Sequence, residues 1–216
     1  MLDPDRLIDL TLPVRAGSDP DAMLLYPGDA PPVLRRLARI ADGDALTLSE
    51  LAIGCHVGTH VDAPAHFIAG GATVDQLPRH AFMGPAVVID VTRREMITVD
   101  DIRCAAVPSR RHVLLKTDNA GLLGTTRFSE RYCTVSAAAA EALLETGPLS
   151  VGFDYLSLDP VSDTDFPAHR VLALAGVPVF VSLDLACVMP GAYTFLAFAP
   201  RVLDVEGLPV RAFLAP

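Results

Sequence analysis

The amino-acid sequence predicts a mixed α/β domain with a strand-rich core. Strand-like segments outnumber helix-like segments, and several of them follow one another directly along the chain. The length of 216 residues fits one domain spanning residues 1–216, because chains divide into several domains mainly above about 250 to 300 residues. Since 51% of the residues are apolar and 20% are charged, the chain can form a packed core.

Alternating apolar and polar residues, or short apolar runs, predict the strands. In the first half of the chain they are residues 7–14, 33–40, 45–53, 86–91 and 112–117. In the second half they are residues 149–154, 177–183, 193–199 and 208–213. A proline-rich stretch at residues 18–32 is predicted to be a loop between the first two strands.

Three helices are predicted from residues that can accept hydrogen bonds from the first helical turn. Each has a proposed N-cap: Thr98 for residues 99–106, Ser136 for the alanine-rich segment that ends at Gly147, and Asp165 for residues 166–175. Pro167 is compatible with the third helix because proline is tolerated in a first turn.

The charge balance excludes some classes of function. Seventeen basic residues against twenty-six acidic ones give a net charge of −9, which disfavours a nucleic-acid surface. No stretch reaches the roughly 18 to 20 uninterrupted apolar residues of a membrane span, and the acidic N-terminus lacks the features of a secretion signal. We therefore expect a cytoplasmic, soluble protein that acts on a small molecule.

Residues 56–67 form a histidine-rich segment, His-Val-Gly-Thr-His-Val-Asp-Ala-Pro-Ala-His-Phe. Imidazole nitrogens and a carboxylate are the ligands that zinc and related divalent ions prefer. His56, His60 and Asp62 are therefore candidate metal ligands, and Asp62 has two oxygens with which it could bridge two ions. The more distant His66 is either a further ligand or a general base.

This segment resembles the signature of the cyclase family of metal-dependent hydrolases, which includes bacterial kynurenine formamidase (arylformamidase) and isatin hydrolase. Shorter matches follow in the family's order along most of the chain. They are Ile8-Asp-Leu-Thr, Tyr26-Pro-Gly-Asp29, Leu114-Leu-Lys-Thr117, Gly152-Phe-Asp154, Ser157-Leu-Asp159 and Ala168-His169.

The resemblance implies a swivelling β/β/α domain that assembles as a homodimer or homotetramer. It also implies one or two divalent ions per chain, Zn²⁺ or Mn²⁺. The implied roles are first-metal ligands at His56, His60 and Asp62, a bridge from Asp62 to a second ion that His169 also binds, a proton shuttle at His66, and an aromatic substrate contact at Tyr26.

The sequence departs from the family pattern at one position. The family places a metal-binding glutamate twelve residues after the histidine that matches His169, and that position is Val181 here. A valine cannot bind an ion, and strand alternation would place Asp184 on the opposite face unless a bulge intervenes. The second metal position therefore lacks its expected carboxylate.

Asp154 follows a predicted buried strand and has two possible roles. It could accept a hydrogen bond from a metal-binding histidine and so orient the ring, or it could cap a loop.

Three functions remain compatible with the sequence. The first is metal-dependent hydrolysis of an amide, lactam or lactone of a small aromatic molecule, as in arylformamidases. The second, suggested by Val181, is a cyclase or dehydratase of secondary metabolism that uses one metal or histidine acid–base chemistry. The third is a non-catalytic protein that binds a small molecule in the same pocket.

Overall fold

The computed structural model describes residues 3–16 and 23–216, so part of the predicted loop at residues 18–32 lies outside the described residues. Thirteen strands are found in the described ranges: β1 (Ile8–Asp9), β2 (Val33–Ala38), β3 (Leu48–Ala52), β4 (His60–Asp62), β5 (Met83–Asp90), β6 (Met96–Ile97), β7 (His112–Lys116), β8 (Thr134–Val135), β9 (Ser150–Phe153), β10 (Val179–Val181), β11 (Gly191–Phe198), β12 (Gly207–Pro209) and β13 (Arg211–Ala215).

The same residues contain three α-helices, α1 (Val99–Cys104), α2 (Ala137–Glu145) and α3 (Pro167–Leu174). The predicted N-caps of the first two are confirmed, since the side chains of Thr98 and Ser136 accept hydrogen bonds from the first turns. The prediction that Asp165 caps α3 is wrong. Phe166 occupies the N-cap position with a φ of 48° and no side-chain cap.

Nine strands form one mixed sheet in the order β1-β13-β11-β5-β7-β9-β10-β4-β12. The four strands β5, β7, β9 and β10 pair in parallel at its centre. The flanking strands pair antiparallel, including β4 with both β10 and β12. The predicted mixed α/β class with a strand-rich core is confirmed.

Each face of the sheet covers its own apolar core. Successive strand residues point to opposite faces, and in β7 this places Val113 and Leu115 in one core and Leu114 in the other. The first core also contains apolar side chains of all three helices, such as Ile102, Leu143 and Leu172. The helices therefore cover one face of the central sheet.

The same alternation orients β4, a strand that the sequence patterns did not predict. Val61 belongs to the core without helices, so the adjacent His60 and Asp62 point to the helical face, where α3 begins. β4 therefore directs the side chains of His60 and Asp62 towards the start of α3.

Seven of the nine predicted strands agree with the structure to within three residues at each end, and the other two differ more. The strand at residues 7–14 shortens to β1 with an isolated bridge between Thr11 and Leu183. The strand at residues 208–213 divides into β12 and β13, which flank Val210 and pair with different neighbours.

Two short sheets lie outside the main one, β2 with β3 and β6 with β8. Every residue of β3 is exposed. Among the described residues, no helix has the length and apolarity needed to cross a bilayer.

Candidate metal centre

Four short elements bring the histidine-rich segment and α3 together. His56 lies in the turn after β3, His60 and Asp62 lie on β4, and His66 ends the 3₁₀ turn Pro64–His66. His169 lies in the first turn of α3 and is buried. The structure therefore brings together all five residues that the sequence and the family resemblance nominated for metal binding and proton transfer.

The carboxylate of Asp62 is the centre of this cluster. Its Oδ1 lies 2.8 Å from Nδ1 of His56 and 3.3 Å from Nε2 of His60. Its Oδ2 lies 4.0 Å from Nε2 of His169. In addition, one ligand atom from each of His56, Asp62 and His66 lies within 4.8 Å of the other two.

The other ring nitrogens of His60 and His169 already have partners. Nδ1 of His60 donates to the carbonyl of Gly58 at 2.8 Å, and Nδ1 of His169 donates to the carboxylate of Asp159 at 2.6 Å. Because a carbonyl and a carboxylate only accept hydrogen bonds, these nitrogens carry the protons. Both rings therefore direct Nε2 towards Asp62, and Nε2 is the nitrogen that each ring could offer to an ion.

The charges of the cluster support one another. Burial disfavours ionisation of Asp62, but the charge of His60 and hydrogen bonds from His56 and His60 hold the Asp62 pKa well below 3.8. Burial likewise disfavours the charged form of His56, yet its contacts with Asp62 and Glu206 raise the His56 pKa above 6.5. In the absence of an ion, these contacts thus favour the ionised form of Asp62 and the charged form of His56.

His66 lies on the open side of the cluster. Its ring stacks on that of His56 with the centroids 3.9 Å apart. The ring of Phe67 packs against it in a T-shaped arrangement with the centroids 4.3 Å apart. Desolvation lowers the His66 pKa from 6.5 to about 4, with the nearby histidines adding to the effect. His66 is therefore neutral near pH 7 and can accept a proton.

A pocket of about 370 Å³ opens above the cluster, a size typical of small-molecule sites. Its apolar wall includes the aromatic rings of Tyr26, Phe67 and Phe166. Tyr26 packs edge-on against Phe128, with the ring centroids 5.3 Å apart. The predicted substrate contact Tyr26 thus lies in the same pocket as the histidines.

Asp154 has a different position from the one that a histidine-orienting role requires. Its two oxygens accept hydrogen bonds from the backbone N–H and the hydroxyl of Thr117, both at 2.7 Å. The carboxylate that orients a histidine is Asp159, which contacts His169. Asp154 has the loop-capping geometry that was the alternative.

Sequence reasoning assigned no role to Asp159 or to Glu206. Asp159 is fully buried and lies ten residues before His169, within the matched Ser157-Leu-Asp159 segment. Glu206 precedes β12, and its Oε1 lies 3.3 Å from Nε2 of His56. No local spacing signals either contact, since both depend on tertiary folding.

Val181 occupies the position of the family's glutamate next to the cluster. It pairs with His60 across β10 and β4, and its side chain is fully buried in the helical core. Asp184 is exposed. Neither residue supplies a carboxylate to the cluster.

The side chains that are present fit a divalent ion. Nitrogen and carboxylate donors converge on one point, and the acceptors at Nδ1 of His60 and His169 leave Nε2, which faces Asp62, as the nitrogen that would bind an ion. Metal-binding histidines almost always donate their second nitrogen to such an acceptor. The donor set is that of zinc and related ions.

Comparisons with known proteins agree with this geometry. The Cyclase family model matches residues 8–160. The chain is 32% identical to the kynurenine formamidase of Paracidovorax citrulli, over 99% of this chain and 98% of that protein. A solved structure described as a potential metal-dependent hydrolase with cyclase activity superposes with a TM-score of 0.81 at 28% identity, covering 96% of each chain. Isatin hydrolase A from Ralstonia solanacearum superposes with a TM-score of 0.80 at 25% identity, over 97% of this chain and 91% of that one.

Proposed function

The chain belongs to the Cyclase family, and from this premise we propose that it is a single-domain, metal-dependent hydrolase that cleaves an amide bond of a small aromatic molecule. The observation that carries the proposal is the convergence of His60 and His169 on Asp62, each with its second ring nitrogen already bonded. Relatives named kynurenine formamidase and isatin hydrolase support the substrate class. These relatives do not favour the cyclase or the non-catalytic alternative.

The metal in this proposal is Zn²⁺, with Mn²⁺ as the alternative. An ion held by His56, His60 and Asp62 would polarise the substrate carbonyl and lower the pKa of a water molecule. His169 and Asp62 are the residues for a second ion, but Val181 supplies no carboxylate there. We therefore propose one firmly held ion per chain.

His66 is the proposed general base and proton shuttle. Its exposure to the pocket lets it reach both water and substrate, and its low pKa keeps it neutral at the pH of the reaction. It would accept the proton of the attacking water and return it to the leaving amine. General acid–base groups of this kind contribute about 10²- to 10⁴-fold to a rate.

The shape of the pocket supports an aromatic substrate. Tyr26, Phe67 and Phe166 form an apolar wall beside the polar cluster. A flat ring can pack on this wall while its amide substituent reaches Asp62 and His66.

Metal analysis and activity assays test the proposal together. Protein purified without a histidine tag should contain about one zinc or manganese per chain and should hydrolyse N-formylkynurenine or isatin. His60→Ala should lose both metal and activity. His80→Ala is the matched control, because His80 is exposed and has no contact with the cluster among the described residues.

His66→Ala separates the base from a ligand. We expect this variant to keep its metal while its activity falls by about 10²-fold or more. Wild-type protein that remains metal-free and inactive after addition of Zn²⁺ or Mn²⁺ would contradict the whole proposal.

We also propose a homodimer in which the β2–β3 hairpin packs against a second copy of the chain. Leu37, Ile40, Leu48 and Leu51 are each at least half exposed. A two-stranded sheet is marginally stable alone, and a cluster of exposed apolar side chains is typical of an interface.

Light scattering coupled to size-exclusion chromatography tests the assembly. The wild type should have twice the 22.9 kDa mass of the chain. Leu37→Glu combined with Leu51→Glu should give a monomer, whereas the control Leu203→Glu, also exposed but outside the hairpin, should not. A monomeric wild type would refute this assembly.

A further inference from the structure

Glu206 is a charged residue at the cluster for which the proposed reaction has no use. It immediately precedes β12, the antiparallel neighbour of β4 on the side opposite β10. Its backbone carbonyl accepts a hydrogen bond from Ala63 at 2.9 Å, which anchors the residue beside β4. Its carboxylate reaches Nε2 of His56 at 3.3 Å.

The ring of His56 is held between two surfaces. His66 stacks on it with centroids 3.9 Å apart. The backbone of Gly207 also approaches the ring, so closely that a Cβ atom at this position would lie 2.4 Å from Cε1 of His56. This approach is possible only for glycine, and it leaves the ring little freedom to turn over.

The orientation of His56 is opposite to that of the other two histidines. His60 and His169 donate through Nδ1 and direct Nε2 towards Asp62. His56 directs Nδ1 towards Asp62 at 2.8 Å, and its Nε2 meets Glu206. Each ring therefore has one nitrogen at the cluster and one on an acceptor outside it.

We propose that Glu206 is a positioning residue that keeps the Nε2 proton of His56 and thereby presents Nδ1 to the divalent ion. This inference rests on the metal site of the proposed function. An ionised carboxylate can only accept at Nε2, so an ion at Nδ1 would replace the Nδ1 proton and leave the Nε2 proton in place. Such an acceptor also increases the basicity of the ligating nitrogen.

Metal affinity provides the first test. Zinc binding to apo-protein is measured by competition with a chromogenic chelator for the wild type, Glu206→Ala, Glu206→Gln and the control Glu141→Gln on the exposed face of α2. Loss of an acceptor behind a metal-binding histidine typically weakens binding about 10- to 100-fold, so we expect that loss in Glu206→Ala. Glu206→Gln keeps an acceptor oxygen and should retain part of the affinity, while Glu141→Gln should match the wild type.

The tautomer of His56 provides a second readout that a merely structural role would not change. Long-range ¹H–¹⁵N spectra of the zinc-loaded wild type should show His56 protonated at Nε2, and His60 and His169 protonated at Nδ1. The Glu206 side chain is 43% exposed, so the variants should fold, and the melting temperature of each apo-protein verifies this.

Two results would overturn the inference while leaving the proposed function intact. One is zinc affinity in Glu206→Ala within about twofold of wild type, and the other is a zinc-bound His56 protonated at Nδ1. A wild type that binds neither zinc nor manganese would refute the metal site itself and this inference with it.

Discussion

Replacing Asp159 by alanine removes three hydrogen bonds from the first turn of α3. One carboxylate oxygen accepts from the backbone N–H of Ala168 at 2.8 Å, and the other accepts from the backbone N–H and Nδ1 of His169 at 3.1 and 2.6 Å. Phe166, the N-cap residue, offers no side-chain acceptor. In Asp159→Ala the three donors would be buried without a partner.

The expected loss of stability follows from these contacts. A buried unsatisfied donor costs about 1–3 kcal/mol, so three donors give a range of about 3–9 kcal/mol before relaxation. Removing the buried carboxylate also removes its own desolvation cost. We therefore expect Asp159→Ala to lower the free energy of unfolding by about 3–5 kcal/mol, a large part of the total for a typical domain.

The assay is urea unfolding of the metal-free protein followed by far-ultraviolet circular dichroism, since the chain has no tryptophan. Asp159→Asn is a second variant of nearly the same volume, and it should also lose more than about 2 kcal/mol because its amide nitrogen cannot accept. Asp165→Ala is the control, which should stay within about 0.5 kcal/mol of wild type. A loss below about 1 kcal/mol in Asp159→Ala, or an equal loss in Asp165→Ala, would refute this account of the helix start.

Three other variants test separate features. Burial lowers the His112 pKa from 6.5 to about 4, so the unfolded chain binds more protons than the folded chain between these pH values. The free energy of unfolding should therefore fall by about 3 kcal/mol as the pH falls from 6.5 to 4. Urea titrations of His112→Gln with chelator present should show a weaker pH dependence, and an unchanged dependence would contradict the assignment. Gly207→Ala should push the His56 ring aside and weaken zinc binding about tenfold or more, whereas Gly124→Ala, with open space around it, should bind normally. Val181→Glu should lower the stability of the metal-free protein by about 2–4 kcal/mol and add a second bound zinc in calorimetric titration; continued binding of one zinc would show that the carboxylate alone does not create a second site.

The helices show how far local sequence signals determine structure. Thr98 and Ser136 act as N-caps because their side chains bond to residues only three positions away, a distance that the sequence displays directly. The start of α3 uses an acceptor from a loop seven residues before the N-cap, Asp159. Its sequence shows a nearby Asp165 that could cap but gives no sign that Asp159 folds back and replaces it.

The residues of the metal cluster likewise differ in how far the local sequence predicts them. His56, His60, Asp62 and His66 fall within eleven residues, so their types and spacing were sufficient to predict a metal site. His169 required a family resemblance. The orientation of each ring depends on acceptors at Gly58, Asp159 and Glu206, and two of these three are set by tertiary contacts.

The two strands beside β4 differ in the charge that they bring to the cluster, and the family pattern pointed to only one of them. On one side, β10 places the uncharged Val181 opposite His60. On the other side, the chain enters β12 through Glu206, and Gly207 pairs with Asp62. The carboxylate absent from the first neighbour therefore has a counterpart on the second, but that counterpart faces the outer nitrogen of His56 rather than the centre of the cluster. The Glu206 carboxylate can fix the tautomer and basicity of His56. It adds no metal-binding oxygen at the point where Asp62 and His169 meet. For this reason the geometry favours one ion over two.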